Sequence, residues 1–405
     1  MTTSARRSNS PKSLEALLDA HAATRLLGVS RNTLYAYVSR GLVRATANPA
    51  NPKASLYIAA DIHALIDRKT RLRRPRAAAA TALDFGLPVL KTRLTHFEDG
   101  RLFYRSADAI ELSRTATLEE AANLIWNTGS FDPFSGLSFD TGSIPGWNEL
   151  ARQFAGAPAT DRACALLPLL TLNANPYAGQ AGQTAFRAAA RLLLAVTAAC
   201  ADIQGKISGP VHKAVARKLG KPRDAENIRR ALVLLADHEL NASTFAVRVV
   251  ASTGARLTNC VLGGLAALSG PRHGAASERA RTFISQAATA GDAYRLVGER
   301  LEAGELVPGF GHFVYGEGDP RARELLSHLE PDPIASAFER AVRDLSGTEP
   351  NIDFALVALE RARDLPPGTA LMLFAIARTA GWLAHAFEQR AAGSIIRPRA
   401  EYVNE

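Results

Sequence analysis

Three histidines stand in sequence surroundings that present an imidazole ring for chemistry. His238 lies in Asp-His-Glu-Leu-Asn-Ala-Ser at the end of an apolar helical stretch. His273 follows Gly-Pro-Arg in a break between two helical stretches, and His312 ends the run Pro-Gly-Phe-Gly-His. Glycine and proline beside a histidine indicate a shaped loop, and such loops often hold functional groups. Taken singly, each motif fits a helix terminator or cap equally well.

Charged residues later in the chain strengthen the functional interpretation. Asp353 lies in Pro-Asn-Ile-Asp, and the arginines Arg378 and Arg397 follow it. Together with the three histidines, these residues predict one functional site. The remaining histidines lie in ordinary surroundings and are interpreted as surface or packing residues; they are His21, His63, His96, His212, His328 and His385.

The elements that must position these residues are mainly helices. Amphipathic stretches dominate from about Leu83 onward, and strand-like runs are short and few. The clearest predicted helices are 117–126, 188–201, 225–238, 244–268 and 369–390, and the best strand candidates are 87–97 and 101–104. Neither a P-loop nor a dinucleotide fingerprint is present. The sequence therefore predicts a mainly α body.

Composition is typical of a globular chain of two or three domains. The 405 residues are 21% charged and 47% hydrophobic, and no run of eighteen apolar residues indicates a membrane span. The polar N-terminus has no apolar stretch behind it, which argues against a secretory signal. Three widely spaced cysteines, Cys164, Cys200 and Cys260, are typical of buried free thiols in a reducing compartment. We therefore expect a cytoplasmic protein with no membrane contact.

Positive charge is concentrated at the N-terminus. Residues 1–76 hold fourteen Lys and Arg against four Asp and Glu, a balance of +10 in a chain whose net charge is +9. The rest of the chain is therefore almost neutral. A basic module of this kind favours attraction to a polyanion such as DNA, although a solvated arm or linker has the same charge.

The local pattern favours a DNA-binding module. Gly28 ends one short predicted helix and Ser30 caps the next, which opens with Arg31, Asn32 and Thr33. Residues 23–44, together with 56–62, resemble the winged helix-turn-helix of MerR and excisionase-type proteins. That resemblance implies a winged domain over 1–70, a linker over 71–84, and DNA contact through residues 20–60 with Arg31, Asn32 and Thr33 on the recognition helix. The alternative is a dimerisation or docking module.

The body resembles citrate synthase. The ordered motifs Asp-His-Glu, Gly-Pro-x-His-Gly, Pro-Gly-Phe-Gly-His, Asp-Pro-Arg, Asn-Ile-Asp, Ala-Arg and Arg-Pro-Arg cover residues 87–402. The resemblance implies a transferase of the tricarboxylic acid cycle that condenses acetyl-CoA with oxaloacetate and needs no metal or other cofactor. It also implies a citrate synthase fold of a large helical domain (85–272 and 353–405) and a small one (273–352).

The resemblance also assigns roles to single residues. Asp353 is implied as the base that removes a proton from the acetyl group, and His273 as the donor to the enol or enolate oxygen. His312 is implied to polarise the ketone of oxaloacetate. The carboxylates of oxaloacetate are implied to bind a second group of residues: His238, Arg321, Arg378 and, from a partner subunit, Arg397. A homodimer or higher even oligomer follows from that shared arginine.

One departure from the family pattern leaves the thioester open. Residues 313–318, which follow His312, contain no cation where the family usually carries a group for the CoA phosphates. Arg272, beside His273, is either a compensating phosphate contact or a solvated surface arginine. The alternatives are therefore a 2-methylcitrate synthase that uses propionyl-CoA, or a DNA-binding regulator whose body senses a metabolite.

Overall fold

The computed structural model describes residues 17–39, 42–48, 55–59, 61–62, 65, 90–171, 182–400 and 402. The chain divides into two compact units, Met1–Lys91 and Thr92–Glu405. The α-helices of the second unit are Ala109–Thr115, Leu118–Trp126, Trp147–Gln153, Ala159–Leu166, Gly182–Cys200, Val211–Lys218, Ala225–Leu234, Ala242–Ser252, Leu257–Leu268, Ala276–Ile284, Asp292–Glu302, Pro320–Leu326, Pro333–Ser346, Ile352–Ala362 and Thr369–Ala392. Its short strands are Thr95–Glu98, Arg101–Tyr104, Ala107–Asp108, Ser138–Asp140 and Lys206–Ser208. The predicted mainly helical body is confirmed.

The first unit pairs two short helices with a small antiparallel sheet. Its helices are Ala20–Leu27 and Arg31–Ser39, and its strands run in the order Leu17–Leu18, Ser55–Ile58, Ala45–Ala47. Gly28 ends the first helix in a left-handed conformation with φ 62°, which costs glycine little because it has no Cβ. Ser30 Oγ accepts the backbone N–H of Thr33 at 3.3 Å and so caps the second helix, as its position predicts.

Several predictions for this unit lie wholly or largely outside the described residues. They are the linker expected over 71–84 and parts of the winged domain expected over 1–70, namely residues 1–16, 40–41, 49–54 and most of 60–70. Arg44, a basic residue near the predicted DNA-binding helix, is described, and its guanidinium holds Asp61 through two hydrogen bonds of 3.0 Å.

The main core of the second unit surrounds the helix Thr369–Ala392. Along this helix nearly every side chain from Thr369 to Ala386 is buried. Its length and hydropathy would suffice to cross a membrane, but 94% of its most apolar window is buried inside the protein. It is therefore the central helix of a globular core. The indole of Trp126 donates to the carbonyl of Ala380 on this helix at 2.9 Å and ties it to a neighbouring helix.

A second, smaller core gathers three helices, Ala276–Ile284, Asp292–Glu302 and Pro333–Ser346, together with one face of Ile352–Ala362. Phe354, Val357 and Ala358 of that last helix face the small core. Its neighbours Ala355, Leu356 and Leu359 face the main core. The helix thus joins both cores, and the division predicted at residue 353 falls within its first turn.

Two predicted helices differ from the structure. The stretch 244–268 was expected as one helix, and this is wrong: Ala242–Ser252 and Leu257–Leu268 are separate. Gly254 lies between them with φ 78°, a left-handed conformation that interrupts the helix. The helix predicted over 225–238 ends at Leu234, and this early end leaves His238 in a loop. The three cysteines are free, as expected, and Cys200 and Cys260 are buried.

Candidate active site

Each site histidine lies in a non-helical segment between two helices. His238 lies between the helices Ala225–Leu234 and Ala242–Ser252, and Asn241 caps the second by accepting the N–H of Thr244 at 3.0 Å. His273 lies in the turn before Ala276–Ile284. His312 precedes Pro320–Leu326, where Asp319 is the N-cap and Pro320 follows it. The caps at Asn241 and Asp319 satisfy the first N–H groups of their helices, whereas the helix after His273 has no side-chain cap.

His238 and His312 lie side by side. Their ring centroids are 5.1 Å apart in an edge-to-face arrangement. The Nε2 atom of His238 lies 3.0 Å from the hydroxyl of Tyr315, whose ring centroid is 4.8 Å from that of His312. Burial, reinforced by the nearby cations Arg321 and Arg378, holds the pKa of His238 well below its usual range. This ring is therefore neutral near pH 7.

A donor approaches each nitrogen of the His312 ring. The backbone N–H of Val314 donates to Nδ1 at 3.1 Å. Burial lowers the pKa of His312 to about 4, with a further contribution from Arg321. A neutral ring whose Nδ1 accepts must carry its proton on Nε2. The contact from Arg321 Nη2 to Nε2 is longer, at 3.5 Å, and a neutral ring accepts at one nitrogen only, so the shorter bond from Val314 favours the proton on Nε2.

His273 is held by a serine. Its Nε2 lies 2.7 Å from Ser243 Oγ, which also lies 2.8 Å from Asn241 Oδ1 and accepts from Trp382 Nε1 at 3.3 Å. The hydroxyl has one proton and therefore donates either to Asn241 or to His273. Burial, assisted by Arg378, lowers the pKa of His273 to about 4. This ring too is neutral near pH 7, and the serine proton decides which nitrogen carries its hydrogen.

Two buried arginines flank the imidazoles. Arg321 is 2% exposed and binds Asp319 through Nε at 2.9 Å and Nη2 at 2.8 Å. Arg378 is 1% exposed, and its Nε donates to the carbonyl of Leu235 at 2.9 Å. Its Nη1 atom is buried without a hydrogen-bond partner. Burial lowers the pKa of Arg378 to about 10. A buried guanidinium N–H without an acceptor is costly unless a ligand supplies one.

Asp353 completes the group. It opens the helix Ile352–Ala362, where Asn351 Oδ1 accepts its backbone N–H at 3.0 Å. Its Oδ1 atom is buried and has no hydrogen-bond partner. Burial raises the pKa of Asp353 to about 6, against the opposing effect of Arg321 and Arg378. Arg378 also acts on the pKa values of His238 and His273, so one cation lies within electrostatic reach of three of the site residues.

The structure brings together six of the seven residues predicted for the site: His238, His273, His312, Arg321, Asp353 and Arg378. Arg397 is not among them. It is exposed in the extended segment after Gly393, where the backbone N–H of Ile396 donates to Ser252 Oγ at 3.1 Å. Arg31 is exposed and Thr33 partly buried in the separate first unit, and Asn32 lies between them on the same helix.

Sequence reasoning missed four residues that hold the site. Tyr315 and Ser243 bind His238 and His273, Asp319 orients Arg321, and Asp237 pairs with His385. Both Asp237 and His385 are fully buried, with Nε2 of the histidine 3.3 Å from the carboxylate. The interpretation of His385 as a packing residue holds, although it packs against the residue next to His238. Only Asp319 had a clear sequence signal, an aspartate directly before a proline.

A metal site has no support in the geometry of the residues that the structure describes. Among them, no three His, Cys, Asp or Glu side chains lie close enough together to hold an ion.

Comparison with known proteins gives a consistent result. Residues 82–399 match the family model "Citrate synthase, C-terminal domain". Putative citrate synthase 2 of Mycobacterium tuberculosis is 40% identical over 195 residues, which are 45% of this chain and 52% of that protein. 2-Methylcitrate synthase 2 of Corynebacterium glutamicum is 34% identical over 194 residues, 45% and 51% of the two chains. The matched region thus spans about half the length of these curated relatives.

A solved structure extends the likeness over most of the chain. Citrate synthase from Thermotoga maritima superposes with a TM-score of 0.66 at 25% identity, and the match covers 79% of this chain and 94% of that one.

Proposed function

The chain belongs to the citrate synthase family, and we propose that it condenses acetyl-CoA with oxaloacetate and hydrolyses the resulting thioester to citrate and CoA. The observation that carries this proposal is the buried, unpartnered Oδ1 of Asp353 within electrostatic reach of two buried arginines. A free carboxylate supplies a base, and buried cations supply partners for a dicarboxylate. We propose that no other cofactor takes part.

Asp353 removes a proton from the acetyl methyl group. A pKa of about 6 leaves this carboxylate ionised at neutral pH while making it a stronger base than an ordinary aspartate. Its unpartnered Oδ1 atom supplies the lone pair that the step requires. The proton leaves carbon for Oδ1, and the electron pair moves to the thioester oxygen.

His273 stabilises that oxygen as enol or enolate. A neutral imidazole donates one hydrogen bond without a full charge, and its low pKa keeps it neutral. With Nε2 bonded to Ser243, the ring donates through Nδ1 only when the serine hydroxyl donates to Nε2. The step therefore requires the Ser243 proton to turn to His273 from Asn241 Oδ1, to which it donates at 2.8 Å.

A second set of residues binds the keto acid. His312 donates from Nε2 to the ketone oxygen of oxaloacetate, because its Nδ1 is already occupied. Arg321 and Arg378 bind the carboxylates, with His238 as a further ligand. Arg397 comes from a partner subunit, which makes an even oligomer part of the active site.

Propionyl-CoA is the second candidate acyl donor. The relative from C. glutamicum is named for 2-methylcitrate synthesis and aligns over nearly the same length as the citrate synthase relative. The residues that face oxaloacetate would be the same for both reactions. CoA release from acetyl-CoA and from propionyl-CoA, each with oxaloacetate, decides between them. No CoA release from either thioester would refute the synthase proposal.

For the first unit we propose a winged helix-turn-helix that binds DNA. The supporting observation is the pair of helices joined at Gly28, with exposed Arg31 and Tyr35 one turn apart on the second helix. The predicted contacts are Arg31, Asn32 and Thr33. An even oligomer presents these modules in pairs, so half-sites related by two-fold symmetry follow. A metabolite-sensing regulator is the corresponding alternative function.

DNA selection tests this module. Genomic fragments captured by the full-length protein are retested at about 50 and 200 mM salt, where release of counterions weakens phosphate-dependent binding steeply. Arg31→Ala should reduce capture, whereas Arg295→Ala, a matched change at an arginine paired with Glu299 in the second unit, should not. Capture of no sequence at either salt concentration would refute DNA binding. Loss of the oligomer on removing residues 1–76 would favour a docking role.

A further inference from the structure

Tyr315 lies between three residues of the proposed keto-acid site. Its side chain is only 3% exposed. Its hydroxyl is 3.0 Å from His238 Nε2, its ring centroid is 4.8 Å from that of His312, and the guanidinium carbon of Arg321 lies 5.5 Å above the ring. Tyr315 has no role in the proposed chemistry, yet it contacts three groups that carry it.

The hydroxyl restrains the His238 ring. A neutral imidazole has a single proton, so only one of its two nitrogens donates. Whichever partner donates, the bond to Tyr315 fixes the plane of the ring and engages Nε2. Phe97 packs edge-to-face against the same ring at 5.0 Å and against Tyr315 at 5.7 Å. His238 is thus held by one hydrogen bond and one packing contact.

The aromatic face supports Arg321. Asp319 fixes the Nε and Nη2 atoms of Arg321 in the plane of its guanidinium. Tyr315 covers one side of that plane at a distance typical of cation–π contact, an interaction that strengthens away from water. The guanidinium is therefore restrained in its plane by a carboxylate and across its plane by a ring.

We infer that Tyr315 is a positioning residue of the keto-acid site, whose hydroxyl orients His238 and whose ring supports Arg321. The inference rests on the proposed function, because it takes oxaloacetate as the ligand of these two residues. The acyl donor does not depend on Tyr315. Its loss should therefore affect the keto acid selectively.

Two substitutions separate the hydroxyl from the ring. Tyr315→Phe keeps the ring and should weaken oxaloacetate binding about 5- to 12-fold, as expected for one lost hydrogen bond in a buried site. Its kcat should change less than about twofold, and the KM for acetyl-CoA should stay constant. Tyr315→Leu also removes the ring and should weaken oxaloacetate binding at least about fivefold further. Tyr294→Phe, which removes an exposed hydroxyl bonded to Asp344, is the matched control.

Calorimetric titration with oxaloacetate, run beside steady-state kinetics, distinguishes the outcomes. A selective rise in the Kd and KM for oxaloacetate in Tyr315→Phe supports the inference, even if Tyr315→Leu fails to fold. An unchanged Kd for oxaloacetate in Tyr315→Phe overturns the inference. An equal rise in the KM for oxaloacetate and for acetyl-CoA overturns it as well. If the unaltered protein does not bind oxaloacetate at all, the proposed function fails first and this inference fails with it.

Discussion

Asp353→Asn should stabilise the folded protein while it abolishes turnover. Burial raises the pKa of this carboxyl from 3.8 to about 6, a difference of roughly two units. At about 1.4 kcal/mol per unit, the ionised carboxylate costs the folded state up to about 3 kcal/mol near neutral pH. Asparagine has nearly the same shape and no charge, so the variant is free of that cost. Loss of the base should lower kcat by at least about 100-fold.

The pH dependence has a definite sign. Between about pH 4 and pH 6 the folded protein keeps a proton on Asp353 that the unfolded chain has lost. The free energy of unfolding of the unaltered protein therefore falls as pH rises through this window, relative to the variant. The advantage of Asp353→Asn should be largest above pH 6 and should shrink towards zero near pH 4. The same ionisation should make kcat/KM fall below about pH 6.

Scanning calorimetry between pH 5 and pH 8, at one protein concentration, measures the difference. Each kcal/mol of difference in the free energy of unfolding should shift the Tm by roughly 2–4 °C. The control is Asp364→Asn, since the Asp364 side chain is 99% exposed and pairs with Lys221 at 3.3 Å; its effect should stay within about 0.5 kcal/mol. A variant at Asp353 that is less stable than the unaltered protein at pH 7.5, or a difference that does not vary with pH, would refute the reasoning.

Three further predictions test other parts of the site. Arg378→Leu removes the unpartnered buried cation and should weaken oxaloacetate binding by roughly 2–5 kcal/mol; an unchanged calorimetric Kd would contradict the carboxylate role. Inactive Asp353→Asn and Arg397→Leu proteins, mixed under conditions of subunit exchange, should recover some activity because one site of a mixed dimer holds both intact residues. No recovery despite exchange shown by mass spectrometry would count against a partner arginine. Ser243→Ala removes the hydroxyl that lies 2.7 Å from His273 Nε2 and should lower kcat about tenfold while the Kd for oxaloacetate stays constant. A change in that Kd with no change in kcat would contradict this role of Ser243.

The helices of the body were largely predictable because burial leaves a clear period in the sequence. The helix Thr369–Ala392 was expected over 369–390, and Leu118–Trp126 over 117–126. The error at 244–268 has a local cause. Apolar periodicity continues across Gly254, and sequence alone does not distinguish a tolerated helical glycine from one with φ 78°.

The site histidines were predictable for a different reason. Glycine and proline beside His273 and His312 indicate shaped loops, and both residues do lie in non-helical segments between helices. The packing partners of the rings left no such signal. Tyr315 and Ser243 are common residue types in unremarkable positions, and their contacts with His238 and His273 join residues 77 and 30 positions apart. Contacts of that kind depend on tertiary packing, which one sequence does not display.

The charged groups of the site were also only partly predictable from the sequence. The sequence predicted Arg321 and Arg378 as cations of one site, but it did not distinguish their contributions to carboxylate binding. In the structure Arg321 is already bound by Asp319, whereas Arg378 keeps a buried Nη1 without a partner. The energy of a new carboxylate contact is therefore larger at Arg378, because a desolvated N–H gains its first acceptor there. Since Arg378 also acts on the pKa values of His238, His273 and Asp353, a carboxylate that neutralises it should raise the pKa of all three groups at once. Binding of the keto acid would thereby make Asp353 a stronger base before the acyl donor arrives.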